Sequence, residues 1–166
     1  MKFEKPTQED ASAVHQMLKE AGGLDVNTLY CYMLLCSQFR ETCRIARAED
    51  GSVAGFLSAY RVPDEPQALF VWQVAVSRHF RKQGIAKRLL MNVVTEDAER
   101  APLAYLTATV ADSNKASLAL FRSIAREHGS ELSVEPCFKA DDFLPEAHEA
   151  EPLVRIPLHV AIPAVS

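Results

Sequence analysis

The chain has 166 residues, 48% of them hydrophobic and 24% charged, the balance of a globular protein able to bury its own core. A net charge of −4 and a pI near 5.7 exclude nucleic acid or an anionic membrane as the main partner. The longest apolar run, residues 30–36, is too short to span a bilayer. The opening Met1-Lys2-Phe3-Glu4-Lys5-Pro6 holds no apolar core of signal-peptide length, so the cytoplasm is the expected compartment.

Taken in chain order, Thr7 followed by Glu9 and Asp10 reads as a helix start, and Ala11, Val14, Leu18 and Ala21 recur on one face until Gly22-Gly23. A second helix is expected over residues 27–39, packing Leu34 and Leu35. Residues 43–48 and 53–60 form a strand pair around the turn Glu49-Asp50-Gly51-Ser52. Residues 61–67, with Pro63 and Pro66, read as a loop, and 68–76 as a long central strand whose apolar run predicts burial on both faces. Ile85, Leu89, Leu90 and Val93 mark the inner stripe of the helix that follows. Residues 104–110 read as a strand. Asp112-Ser113-Asn114 caps a helix carrying Ala116, Leu120, Phe121 and Ile124 and ending at Gly129. A late strand pair, 132–137 and 153–158, closes the sheet. Between its members, residues 139–152 hold five acids against one lysine. The whole predicts one mixed α/β domain over residues 1–166. Cys31, Cys36, Cys43 and Cys137 show neither a C-x-x-C pair nor zinc spacing, so they read as small buried hydrophobes and no metal is expected.

Chemistry concentrates where the central strand Phe70-Val71-Trp72-Gln73-Val74-Ala75-Val76 runs through Arg81-Lys82-Gln83-Gly84-Ile85-Ala86 into a helix. A helix N-terminus leaves backbone N–H groups unpaired and carries the positive end of the dipole, a ready anion site. Arg81, Lys82, Lys87 and Arg88 add charge suited to a small polyanion such as a pyrophosphate. A dinucleotide site would need G-x-G-x-x-G and a P-loop Gly-Lys-Ser/Thr; neither is present.

Arg81-x-x-Gly84-x-Ala86 between a strand and a helix, with Asn114 after the next strand, resembles the Gcn5-related N-acetyltransferases. That resemblance implies a mostly antiparallel mixed sheet with a splayed central strand pair flanked by helices, and acetyl-CoA as co-substrate. It further implies that residues 81–86 bind the pyrophosphate, while main-chain groups of Val74 and Val76, with Asn114, hold the pantetheine arm. Three longer stretches are similar to one branch of that superfamily, the L-2,4-diaminobutyrate acetyltransferases. They are residues 24–32, the Trp72 strand, and Ala119-Leu120-Phe121-Arg122. His148-Glu149-Ala150-Glu151 and Leu153-Val154-Arg155-Ile156 match the same branch, so the likeness runs from Phe3 to Ile156.

The implied reaction is acetyl transfer to the 4-amino group of L-2,4-diaminobutyrate, a step toward the compatible solute ectoine, by a homodimer. The resemblance points to Asp25, Tyr30, Trp72 and Glu151 as acceptor contacts, with His148 nearby. Asp25 and Glu151 suit ammonium groups, and Trp72 offers an aromatic wall. The competing readings are Asp25 as a helix cap, Trp72 as core, and Glu151 and His148 as ordinary loop residues. Thr107 and Thr109 share a strand face toward the acceptor, or are there for strand propensity alone. The superfamily's Tyr seven residues after the Asn is Phe121 here, and the Trp72 strand has no Glu. Deprotonation is therefore expected through water ordered by Glu151 or Asp25, and thiolate protonation through Tyr30, Tyr32 or water. Acetylation of another small diamine, such as ornithine or a polyamine, and a non-catalytic acyl-CoA-binding module are the alternatives.

Overall fold

The computed structural model describes residues 1–23 and 25–159; Leu24 and residues 160–166, the end of the expected domain, lie outside the described residues. It comprises two compact units, Met1–Tyr60 with Val71–Arg100 and Arg61–Phe70 with Ala101–Ser166. The long central strand is common to both.

In the first unit a strand the periodicity does not announce, β1 (Lys2–Glu4), pairs antiparallel with β2 (Arg44–Arg47), and β2 with β3 (Val53–Val62). Thr7 does cap, but it caps a single 3-10 turn: its backbone N–H and its hydroxyl both donate to the Asp10 carboxylate, at 2.8 and 3.1 Å. Helix α1 (Ala11–Ala21) follows, burying Ala11, Val14, Leu18 and Ala21 as the spacing predicts, and stops at Gly22. Helix α2 (Leu29–Ser37) is shorter than expected and starts from Thr28, whose hydroxyl accepts from the Cys31 N–H at 3.3 Å. It buries Tyr32, Leu35 and Cys36, whereas Leu34 faces outward. Helix α3 (Ile85–Arg100) buries Ile85, Leu89, Leu90 and Val93. A Cβ on Gly55 of β3 would lie 3.1 Å from both Ile85 Cγ2 and Leu89 Cδ1, so α3 sits close over that strand because position 55 has no side chain.

The expected 61–67 loop is instead a hairpin: β3 reaches Val62 and β4 (Glu65–Val76) begins after Pro63-Asp64 alone. Pro66 lies within β4 and is exposed; its carbonyl accepts from Arg61 Nη1 at 2.6 Å. Burial of β4 on both faces holds for Ala68 and Leu69. Beyond Val71 it fails, since Trp72 is 48% exposed and Gln73, Val74 and Val76 are half-buried.

In the second unit β4 pairs parallel with β5 (Tyr105–Thr109) over Ala68–Phe70 and Tyr105–Thr107. β5 pairs antiparallel with β7 (Glu151–Pro157), and β7 with the exposed β6 (Ser133–Phe138). Strand order is β1-β2-β3-β4-β5-β7-β6. Helix α4 (Lys115–Glu127), capped by Asn114, buries Leu118, Phe121, Ile124 and Ala125; the stripe lies nearer its C-terminal half than predicted, and Ala116 is exposed. Of the cysteines, Cys36 and Cys43 are buried, and burial pushes both thiols up to about 12; Cys137 is exposed, contrary to expectation. Among the described residues no helix is long and apolar enough to cross a membrane, and no cluster of three metal-ligating side chains occurs.

Candidate functional site

In the first unit, the segment between β4 and α3 carries two left-handed residues, Lys82 at φ 61° and Gly84 at φ 70°. They turn the chain so that α3 begins at Ile85, and Arg88 N–H donates to Gly84 O at 3.1 Å. The N–H groups of residues 85–87, in the first turn, therefore project off the helix end. A Cβ on Gly84 would meet nothing within 4 Å. A group carrying phosphate oxygens fits there: the approach to the first-turn N–H groups is open at Gly84, and Lys82 and Gln83 are exposed beside it. Ile85 is buried and offers its N–H alone, and Ala86 is small and half-buried.

Arg81 is placed differently from the other loop residues. Its Nη2 donates to Ala21 O at 2.7 Å, and Arg78 Nε donates to the same carbonyl at 3.1 Å, so two guanidinium groups close the C-terminus of α1. Arg88 stacks over the Phe3 ring at 4.3 Å. The positive side chains of this segment thus divide between fastening the unit and facing solvent.

Replacing Gly84 by Val tests the loop. Because no protein atom occupies the space, a Val side chain costs the fold only the strain of a left-handed β-branched residue, about 1–2 kcal/mol. Affinity for a ligand carrying a pyrophosphate is expected to fall at least tenfold; an unchanged affinity alongside a lowered Tm would mean that Gly84 serves the backbone alone.

The corner before α2 is tied to β4 by three hydrogen bonds. The Tyr32 hydroxyl donates to Gln73 Oε1 at 3.0 Å and accepts from Asn27 N–H at 3.2 Å, and Gln73 Nε2 donates to Asp25 O at 2.9 Å. Residue spacing gives no sign of this tie except the amide of Gln73 within the apolar run 68–76 of β4. It fixes the backbone of Asp25, whose side chain is exposed, and Thr28 rather than Asp25 caps α2. Tyr30 is 68% exposed and Trp72 is not core. Tyr32 is fully buried, its hydroxyl engaged on both sides.

The second unit brings Thr109, His148 and Glu151 together. Glu151 begins β7; its Oε2 accepts from the Thr109 hydroxyl at 2.7 Å, and His148 Nε2 lies 3.7 Å from its Oε1. His148 Nδ1 lies 2.7 Å from Glu149 O, and Phe143, which the residue pattern does not single out, stacks on the imidazole at 4.1 Å. Glu149 accepts from Ser113 Oγ at 2.6 Å. Thr107 is 3% exposed and its hydroxyl donates to Leu69 O at 3.4 Å, a place inside the sheet. Asn114 caps α4, its Oδ1 accepting from Ser117 N–H at 3.1 Å. Phe121 is buried.

The chain is similar to known proteins over most of its length. Residues 12–125 match the acetyltransferase (GNAT) family. The L-2,4-diaminobutyric acid acetyltransferase of Halalkalibacterium halodurans is 40% identical over 156 residues, 93% of this chain and 81% of that protein. Its namesake in Streptomyces avermitilis is 36% identical over 156 residues, 94% of this chain and 87% of that protein. The diaminobutyrate acetyltransferase EctA of Paenibacillus lautus has been solved with its substrate L-2,4-diaminobutyric acid and coenzyme A. This chain superposes on it with a TM-score of 0.90 and 38% identity over 96% of each chain.

Proposed function

The chain belongs to the acetyltransferase (GNAT) family, and from that premise we propose that it transfers the acetyl group of acetyl-CoA to the 4-amino group of L-2,4-diaminobutyrate, a step toward ectoine. The observation that carries this reading is the likeness, along nearly the whole chain, to a structure solved with that diamino acid and coenzyme A.

The acceptor is a cation that must become a nucleophile. Its ammonium gives one proton to a carboxylate, directly or through water, and the neutral amine attacks the thioester carbonyl. A backbone N–H of the Trp72–Val76 segment meets the oxygen that becomes negative. The C–S bond then breaks, the nitrogen loses its second proton, and the thiolate gains one. Glu151 is the base in this scheme, Asp25 meets the remaining ammonium, and the open face of Trp72 lies against the acceptor. Phe121 has no proton to give and the Tyr32 hydroxyl is engaged, which leaves Tyr30 or water to protonate the thiolate. Residues 82–86 hold the pyrophosphate through their amides, Arg81 contributing main chain rather than guanidinium. Val74 and Val76 bond the pantetheine arm through their backbones, and Asn114 through the amide nitrogen its capping oxygen leaves available.

The enzyme works in the cytoplasm, where acetyl-CoA is at hand, and serves osmoadaptation. It forms a homodimer, supported by an apolar α2 that leaves Leu29 and Leu34 exposed, with Phe39 just beyond. Light scattering at twice the protomer mass checks this. Turnover is expected to favour diaminobutyrate over ornithine and putrescine at least tenfold, with free thiol released and the 4-position acetylated by NMR. Equal rates on all three amines would overturn the substrate assignment.

A further inference from the structure

In the second unit a chain of side-chain contacts ends on the Glu151 carboxylate. Phe143 closes the 3-10 turn Ala140–Phe143, which is held by Lys139 N–H donating to Asp142 Oδ2 at 2.7 Å. The Phe143 ring meets Phe138 of β6 edge-on at 6.3 Å and lies on the His148 imidazole with planes 21° apart. A carbonyl can only accept, so the contact with Glu149 O puts a hydrogen on His148 Nδ1. Nε2 then faces Glu151 Oε1 at 3.7 Å, beyond hydrogen-bond reach, while the Thr109 hydroxyl donates to Oε2 at 2.7 Å. Residues 139–147 are otherwise exposed, so Phe143 has little core to fill; its partly buried ring spends its contact on the imidazole.

A carboxylate accepts a proton from a bound amine efficiently only when its oxygens are held in place. We infer that Phe143 and Thr109 are positioning residues for acetyl transfer. Phe143 sets the plane of His148 against Glu151, and Thr109 fixes the rotation of the Glu151 carboxylate so that Oε1 is the oxygen left to take the proton. This rests on the reading of Glu151 as the acceptor-side base, and it gives Thr109 a supporting role in place of acceptor contact.

The test is steady-state kinetics with diaminobutyrate and acetyl-CoA, with thermal unfolding in parallel. Phe143→Leu, which keeps bulk but loses the ring face, lowers kcat roughly tenfold with the KM for acetyl-CoA unchanged, and Phe143→Tyr recovers most of it. Thr109→Val, which keeps shape but loses the donor, does the same, and Thr109→Ser recovers. Wild-type kcat in both Phe143→Leu and Thr109→Val overturns the inference, and so does equal damage from the Tyr and Ser variants. If Phe143→Leu does not fold, the Thr109 pair decides. An undiminished kcat in Glu151→Gln would instead remove the base assignment itself, whereas a crippled Glu151→Gln beside active Phe143→Leu and Thr109→Val removes only the positioning role.

Discussion

With Glu151 as the proposed base, Glu151→Gln is expected to lower kcat for acetylation of diaminobutyrate by about 10²-fold and to leave the KM for acetyl-CoA within about twofold, the range general-base removal gives. The substitution is isosteric, and the amide oxygen of Gln still accepts from the Thr109 hydroxyl that holds Oε2 in the parent protein. What disappears is proton affinity and one negative charge beside an acceptor that arrives as a cation. The donor side is untouched because the amides proposed for the pyrophosphate belong to residues 82–86. Raised KM for acetyl-CoA with normal kcat would assign Glu151 to donor binding or to structure. Rapid steady-state assays with saturating diaminobutyrate separate the two outcomes.

The second large effect concerns stability. Arg44, in β2, is fully buried, an expense that no apolar pattern forecasts. Its guanidinium donates to Asn92 Oδ1 and Glu96 Oε2 on α3, both at 2.6 Å, and to the carbonyls of Cys43 at 2.6 Å and Glu41 at 3.1 Å. Burial lowers its proton affinity, and Glu96 is the chief group that restores it. Arg44→Ala leaves two carbonyls and an amide oxygen without a donor and opens a cavity, a loss of about 3–5 kcal/mol. For a chain of this size that is a fall in Tm of roughly 6–20 °C by calorimetry. The Glu96 side chain is 42% exposed and keeps Lys5 Nζ at 3.5 Å from its Oε2, so the carboxylate left behind adds little to the loss. Arg44→Met, which keeps the apolar stem, is expected to lose less than half as much. Equal stability of Arg44→Ala and the parent would show that the network contributes nothing.

Local chemistry was readable wherever a residue acts through its own backbone. The stop at Gly22, the turn through Gly84 and the caps at Thr7 and Asn114 follow from φ preferences and short-range hydrogen bonds, which a spacing of three or four residues expresses directly. The misreadings have one cause. Pro63 and Pro66 suggested a loop because proline cannot donate to a ladder, yet Pro66 sits exposed in β4, in a strand that extends back to Glu65. The apolar run of β4 suggested two buried faces, yet burial depends on what covers a face, and Trp72 is left open. Leu34 is as apolar as Leu35 and faces the other way.

By itself the sequence determined the mixed α/β class and the glycine turn that opens α3, because those depend on periodicity and glycine conformation. The acceptor candidates came from the resemblance and not from spacing or charge. Tertiary structure decided what each candidate touches. Arg81 is turned onto Ala21 O, Thr107 sinks into the sheet, Tyr32 is locked by Gln73, and Thr109 of β5 meets Glu151, which His148 also approaches with Phe143 stacked on its ring. Such placements rest on hydrogen bonds and close contacts between residues from 3 to 60 positions apart, and the longer of these take a partner only when folding brings the segments into contact.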